Sequence, residues 1–343
     1  MNVESFALEL SRPLSTARGD IVEREGFLVR VERDGETGYG EATPLPGWTE
    51  SLEECRAALD AVDGDPTALA LAGMDGTPAA RHGLELALSD AAAHARDEPL
   101  SRYLGGEGTV DRVPVNATVG DGPPPRTARE AREAVAEGFP AVKVKVGSRP
   151  LDADLDRLAA VREVCPDVEL RADANGAWDP GTARRGLRDL APLDVAYVEQ
   201  PLPAADLAGH ARLRGEGVGV ALDESLVPAT VDETLAAGAA DVLVLKPMAL
   251  GGPARAREAA LRARAAGVEP VVTTTIDGSL ARAAAVHVAA SVPAVAPCGL
   301  ATGPWLTTDL TEEDPAPVVD GVARAPSGPG NVAATPRLPG DGE

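Results

Sequence analysis

VELRADANG at 168–176, VAYVEQPL at 195–202 and VGVALDES at 218–225 are short apolar runs, each broken near its C-terminal end by a carboxylate: Asp173, Glu199 and Asp223. Runs of this length, rich in Val and Leu and separated by stretches of helical period, read as buried strands of βαβ units. The pattern extends both ways. Upstream stand VPVNATVG (113–120) and AVKVKVG (141–147); downstream stand DVLVLKPMALGG (241–252), EPVVTTTID (269–277) and AVAPCGL (294–300). Helical stretches such as RTAREAREAVAEGF (126–139) and PARAREAALRARAAG (253–267) lie between them. Eight strands recurring every ~25 residues is the count that closes a TIM-type (β/α) barrel. A doubly wound open sheet is the structural alternative, but it lacks its glycine fingerprint here.

The first hundred residues read differently. FALEL (6–10) and EGFLVRVERDGETGYGEA (25–42) alternate as antiparallel strands with a D-G turn signal, and TPAARHGLELALSDAAAHAR (77–96) carries helical spacing. The expected fold class is therefore α/β: an α+β capping domain over 1–110 and a TIM-type barrel over 111–305. The Pro/Gly-rich segment 306–343 is expected to pack back on the capping domain, with its last residues disordered.

Composition narrows the function. The 54 acidic residues outnumber the 32 basic ones for a net charge of −22, which argues against nucleic acid or an anionic membrane as a partner. The acid is spread along the chain, as in proteins that stay soluble in concentrated salt. Cys55, Cys165 and Cys298 are far apart with no CxxC, so neither a disulfide framework nor a zinc site is suggested. No apolar run approaches a membrane span and the N-terminus does not read as a signal peptide, so the expected compartment is the cytoplasm. Only three lysines occur, Lys143, Lys145 and Lys246, against 29 arginines. Arg keeps its proton near neutral pH whereas Lys can release it, so the surviving lysines are candidates for a task Arg cannot perform.

In a barrel of this type the active site lies at the C-terminal ends of the strands. Those ends carry Lys143 and Lys145, then Asp173, Glu199, Asp223 with Glu224, and Lys246. Residues two apart on a strand point the same way, so Lys143 and Lys145 both face the barrel mouth. Three converging carboxylates repel unless a cation sits between them, and all-oxygen ligation favours Mg²⁺, with Mn²⁺ second. His82, His94, His210 and His287 all fall in helical stretches, which disfavours a His-ligated zinc site. A lysine beside a divalent cation and a second ammonium is expected to have a lowered pKa and to serve as a base. A salt bridge to the carboxylates is the alternative role. A substrate carboxylate would then have one amine on each face of its α-carbon, making a small-molecule carboxylate the expected partner.

The motifs KVKVG (143–147), RADANGAW (171–178), VEQPL (198–202), ALDES (221–225) and LKPMALGG (245–252) resemble those of the enolase superfamily, in its muconate-lactonizing-enzyme branch. GYGEATPLPGWTES (38–51) and ALSDAAAHARDEPLSRYLGG (87–106) resemble that family's capping domain. The resemblance implies Asp173, Glu199 and Asp223 as Mg²⁺ ligands, Lys145 as the base, Lys143 and Asn175 as their supporting partners, and Lys246 as the opposite-face lysine. PLSTARG (13–19), TTTIDGSL (273–280) and GLATGPWLTTDL (299–310) are most similar to the o-succinylbenzoate synthases of menaquinone biosynthesis. That likeness implies a syn-dehydration of 2-succinyl-6-hydroxy-2,4-cyclohexadiene-1-carboxylate. Two departures stand out: the seventh strand ends in TID where relatives commonly have Glu, and GPGNVA (328–333) replaces a GPGLG-like stretch. Thr274, Thr275, Gly278 and Ser279 are candidates to hold the succinyl end through backbone N–H groups at a helix N-terminus, an ordinary cap being the alternative for Ser279. Three other readings stay open: an N-acylamino acid racemase or dipeptide epimerase using Lys145 and Lys246 as paired acid and base, a Schiff-base aldolase with Lys246 as nucleophile, and a non-catalytic barrel.

Overall fold

The alternating pattern near the N-terminus forms a three-stranded antiparallel sheet, β1 (Asn2–Thr16), β2 (Gly19–Arg33) and β3 (Glu36–Ala42). Its second hairpin turns on Asp34 and Gly35, at φ 54° and 86°, the left-handed pair a tight primed turn requires. The computed structural model describes residues 1–16, 19–62, 66, 68–105 and 109–338. The disorder expected at the extreme C-terminus falls on residues outside that set.

Helices α1 (Leu52–Asp60), α2 (Ala68–Ala72), α3 (Pro78–Ala95) and α4 (Leu100–Gly105) follow. A capping box fixes the start of α1: Ser51 and Glu54 satisfy each other's backbone N–H groups. Helix α3 lies against β3 at backbone distance because Gly40 faces it; a Cβ there would stand 1.9 Å from the Gly83 carbonyl oxygen. Leu84, Ala87 and Ala91 of α3 are thereby buried with Val29, Val31 and Ala42 of the sheet.

After β4 (Val113–Pro114) the alternation begins: β5 (Asn116–Val119), α5 (Pro124–Ala136), β6 (Ala141–Lys145), α6 (Leu151–Val164), β7 (Glu169–Asp173), α7 (Pro180–Leu190), β8 (Val195–Glu199) and α8 (Leu207–Leu213). It continues with β9 (Gly219–Leu222), α9 (Val231–Ala236), β10 (Val242–Leu245), α10 (Pro247–Leu250), α11 (Pro253–Ala265), β11 (Glu269–Val272) and α12 (Ser279–Ala290). Strands β5 to β11 form one parallel sheet in chain order. Its helix-facing side is an apolar layer of Val, Leu and Ala, including Val142, Val144, Leu170, Val198, Val220 and Leu243.

The sheet has seven strands, not the eight expected, and is a half-barrel rather than a closed ladder. The eighth run, 294–300, is no strand: Ala294 sits at φ 50° and Pro297 has no N–H to give, so only its last residues pair. Cys298 bridges Val115 on one side and Gly299 bridges Thr273 on the other. The C-terminal segment touches both halves of the molecule. Leu306 bridges Leu10 of β1, the hairpin β12 (Val318–Val319) and β13 (Val322–Ala323) pairs with β4, and the Gly330 carbonyl accepts the Leu100 N–H at 2.8 Å. All three cysteines are buried and free. Among the described residues no helix is long and apolar enough to cross a membrane.

Candidate active site

Strand alternation places every second residue on the concave side of the sheet. A lower layer there holds Arg171, Tyr197, Ala221, Val244 and Val271, with the Arg171 guanidinium 5.0 Å from the Tyr197 ring centre. The layer above, at the C-terminal ends, holds Lys145, Asp173, Glu199, Asp223 and Lys246. Lys145, Asp173 and Glu199 are paired side by side in the ladder. These groups line a cavity of about 610 Å³, roofed by Leu14, Leu45 and Trp48 from the N-terminal part of the chain and bordered by Thr273 to Ile276. A larger cavity of about 970 Å³ lies beside it, also bordered by Trp48. Its Arg255 and Arg262 are already paired with Asp75 and Asp232, and it contains none of the strand-end groups, so the chemistry belongs to the smaller cavity.

The three lysines and three carboxylates are interlocked. Lys143 Nζ donates to both oxygens of Glu199 at 2.9 Å and lies 3.3 Å from Asp173 Oδ2. Lys145 Nζ donates to Asp173 Oδ2 and to Asn175 Oδ1, both at 2.7 Å. Lys246 Nζ donates to both oxygens of Asp223 and lies 3.5 Å from the centre of the Trp48 ring, a cation–π geometry. Asp173, Glu199 and Asp223 are 1%, 2% and 5% exposed. Burial would raise Asp173, but the ammonium groups of Lys143 and Lys145 hold it at about 2. Burial and the charge of Asp173 push Glu199 up to about 7; burial and the charge of Glu224, working against Lys246, push Asp223 up to about 6. Burial acts to lower Lys143, but the carboxylates of Glu199 and Asp173 outweigh burial and hold it well above the ordinary lysine range.

These donors fit a hard divalent cation in kind. Three buried carboxylates end consecutive strands, two of them are held high by burial and by neighbouring carboxylates, and the buried Oε2 of Glu224 has no hydrogen-bond partner. Among the described residues no three such side chains form a ready-made metal cluster; the ammonium groups of the three lysines are bonded to these carboxylates. All four histidines are helical, in α3, α8 and α12, as expected.

Of the four backbone N–H groups expected to bind the succinyl end, those of Thr275, Gly278 and Ser279 are already engaged. The Thr275 N–H donates to Asp277 Oδ2 at 3.0 Å, the Gly278 N–H to Glu41 Oε1 at 2.6 Å, and the Ser279 N–H to Asp309 Oδ1 at 2.6 Å. Gly278 and Ser279 are buried away from the cavity, whereas Thr274 and Thr275 border it. The N-terminus of α12 is therefore capped by Glu41 of β3, which also accepts the Ala281 N–H at 2.9 Å. Burial, together with Asp277, pushes Glu41 up to about 7. Arg24 of β2 adds a bond from Nε to the Ile276 carbonyl oxygen at 3.1 Å, where Ile276 sits at φ 62°. Sequence reasoning missed Trp48, Glu41 and Arg24 as builders of the site. The first two lie in GYGEATPLPGWTES, where an acid and an aromatic close to a turn were the available signal.

The profile described as "Enolase C-terminal domain-like" matches residues 126–332, and that described as "MenC, N-terminal domain" matches residues 4–91. The L-Ala-D/L-Glu epimerase of Bacillus subtilis is 32% identical over 306 residues, covering 83% of each chain. The o-succinylbenzoate synthase of Desulfotalea psychrophila is 28% identical, covering 88% of this chain and 93% of that one. Among solved structures, a substrate-liganded complex of the Bacillus subtilis epimerase superposes with a TM-score of 0.88 at 29% identity, covering 98% of both chains. The dipeptide epimerase of Enterococcus faecalis, complexed with Mg and L-Leu-L-Tyr, superposes at 0.84 and 26%, covering 96% of this chain and 98% of that one.

Proposed function

Because this chain belongs to the enolase superfamily, we propose that it is an o-succinylbenzoate synthase-like lyase that dehydrates 2-succinyl-6-hydroxy-2,4-cyclohexadiene-1-carboxylate. The observation that carries this reading is the inequality of the two lysines. Lys246 is only 9% exposed, bound to both oxygens of Asp223 and covered by Trp48. The Lys145 side chain is 40% exposed and held at its tip by Asp173 and Asn175. One amine is buried between its partners and the other is open to the cavity, which suits a reaction needing one base. Racemisation needs a carrier on each face.

Asp173, Glu199 and Asp223 would hold Mg²⁺, or Mn²⁺ in its place. Bound there, the cation supplies charge that favours ionisation next to a carboxylate. Lys145, as the neutral amine, removes the α-proton. It then delivers that proton to the hydroxyl leaving from the same face. The C–H and C–O bonds break, one C=C bond forms, water departs and the ring becomes aromatic. Lys246 steadies the negative charge that grows on the substrate carboxylate. Lys143, bound to Glu199 and Asp173, keeps the carboxylates from repelling one another.

The test is turnover of the cyclohexadiene substrate by purified protein with Mg²⁺, followed by ultraviolet absorbance. No turnover, with robust racemisation of N-acylamino acids, refutes the proposal. The second reading, a racemase or dipeptide epimerase, is favoured by the 32% identity to the Bacillus subtilis epimerase and requires Lys246 to carry a proton as Lys145 does. Solvent deuterium entering an α-carbon from both faces supports it.

A further inference from the structure

We infer that Glu224 is a positioning residue that acts on Lys145 through the side-chain amide of Asn175. The inference rests on the dehydratase reading above insofar as Lys145 is the base. Asn175 follows β7 with its backbone at φ 44°, its N–H donating to Asp173 Oδ1 at 3.1 Å. In that pose Asn175 Oδ1 accepts from Lys145 Nζ at 2.7 Å, while Nδ2 donates to Glu224 Oε1 at 3.0 Å. An amide has its acceptor on one side and its donors on the other. Turned over, it would set an NH₂ group against the lysine and a carbonyl against the Glu224 carboxylate, unfavourable at both ends. Glu224 thereby locks Asn175 with its oxygen toward Lys145.

The consequence for the base is geometric. A neutral amine has two N–H bonds and one lone pair in tetrahedral arrangement. With the N–H bonds given to Asp173 Oδ2 and Asn175 Oδ1, the lone pair keeps one direction, away from both and toward the cavity. An Asn175 free to turn over would offer Lys145 a donor instead, and the amine would rotate its lone pair toward the amide. Glu224 belongs to the 3₁₀ turn Glu224–Leu226 directly after Asp223, so the segment that supplies one carboxylate also sets the aim of the base across the cavity.

The test uses the full chain with Mg²⁺ and the variants Glu224→Leu, which removes the acceptor, and Glu224→Gln, which keeps an acceptor carbonyl. Glu224→Leu is expected to lower kcat for dehydration by about tenfold to a hundredfold with KM little changed, the scale of a misaimed catalytic group. Glu224→Gln is expected to recover most of that loss. The chain holds three lysines, so Nζ-labelled lysine gives three side-chain NMR signals, assigned by single Lys→Arg variants. The Lys145 signal is expected to move in Glu224→Leu and to stay near its original position in Glu224→Gln. An unmoved Lys145 signal in Glu224→Leu overturns the inference whatever happens to kcat. So does an equal kcat loss in both variants accompanied by weakened Mg²⁺ binding in calorimetry, which would make Glu224 a contributor to the metal site. If the unaltered protein shows no dehydration at all, the functional reading fails by itself, and the Lys145 signal still decides the positioning claim.

Discussion

His287 ties three parts of the chain together and should make stability fall in mild acid. It lies in α12 with no exposed surface. Its Nδ1 accepts the Ser101 N–H at 3.0 Å, so Nε2 carries the proton and donates to the Asn331 carbonyl oxygen at 2.9 Å. A second proton would have to sit on Nδ1, facing another donor. Burial lowers its pKa from 6.5 to about 4, with the Asn331 carbonyl acting weakly against it. Between those values the unfolded chain binds a proton that the folded chain refuses. Stability is therefore full above pH 6.5 and declines as pH falls toward 4. The difference amounts to about 3 kcal/mol, and with an unfolding entropy of ~2.1 cal/mol/K per residue over this chain it corresponds to about 4 °C in Tm. The assay is calorimetry of the unaltered protein and His287→Gln between neutral pH and pH 4. The Gln amide can accept from Ser101 and donate to Asn331 without titrating, and all other acids cancel in the difference. The unaltered protein is expected to lose about 4 °C more than the variant over this range. Equal losses, or a greater loss in the variant, refute the reasoning.

Three further outcomes follow from the site and its supports. Lys145→Met should abolish dehydration, a loss of about 10⁴-fold, whereas Lys246→Met should leave about 1% of it; equal losses in steady-state assays would favour paired acid/base catalysis. Gly278→Ala places a Cβ 2.9 Å from Glu41 Oε2 and 3.0 Å from Leu8 Cδ1 and should destabilise the fold by about 1–3 kcal/mol, read in urea unfolding; an unchanged midpoint would show slack at this contact. EDTA should abolish turnover and Mg²⁺ restore it, while persistent turnover with borohydride trapping of Lys246 would favour a Schiff-base mechanism.

The site was legible in the sequence because strand alternation is local. Once 143–147, 168–176, 195–202 and 218–225 are read as strands, the two-residue period alone sends Lys143, Lys145, Asp173, Glu199 and Asp223 to one side. What the sequence concealed depends on long-range partners. Thr275, Gly278 and Ser279 form a plausible anion cradle when read alone, but Glu41, 237 residues from Gly278, and Asp309 had already claimed two of the N–H groups. Trp48 over Lys246 was hidden for the same reason: no local period links a loop near the N-terminus to the end of β10. The eighth strand failed at Pro297, where a missing N–H outweighed an apolar composition.

The seam at Cys298 and Gly299 gives the half-barrel a preferred line of opening. Strands β5 to β11 join neighbour to neighbour along the chain, so each pairing closes a modest loop, whereas the contact between Val115 and Cys298 must bring together the two ends of the whole repeat. Among the pairings of the barrel it closes the longest loop, and it rests on isolated bridges instead of a continuous ladder, so it is expected to close last and breathe first. The ends of β6 to β10, which carry the lysines and carboxylates, lie in the middle of the ladder, away from that line. The molecule can therefore loosen along its seam while the lysines and carboxylates stay in register.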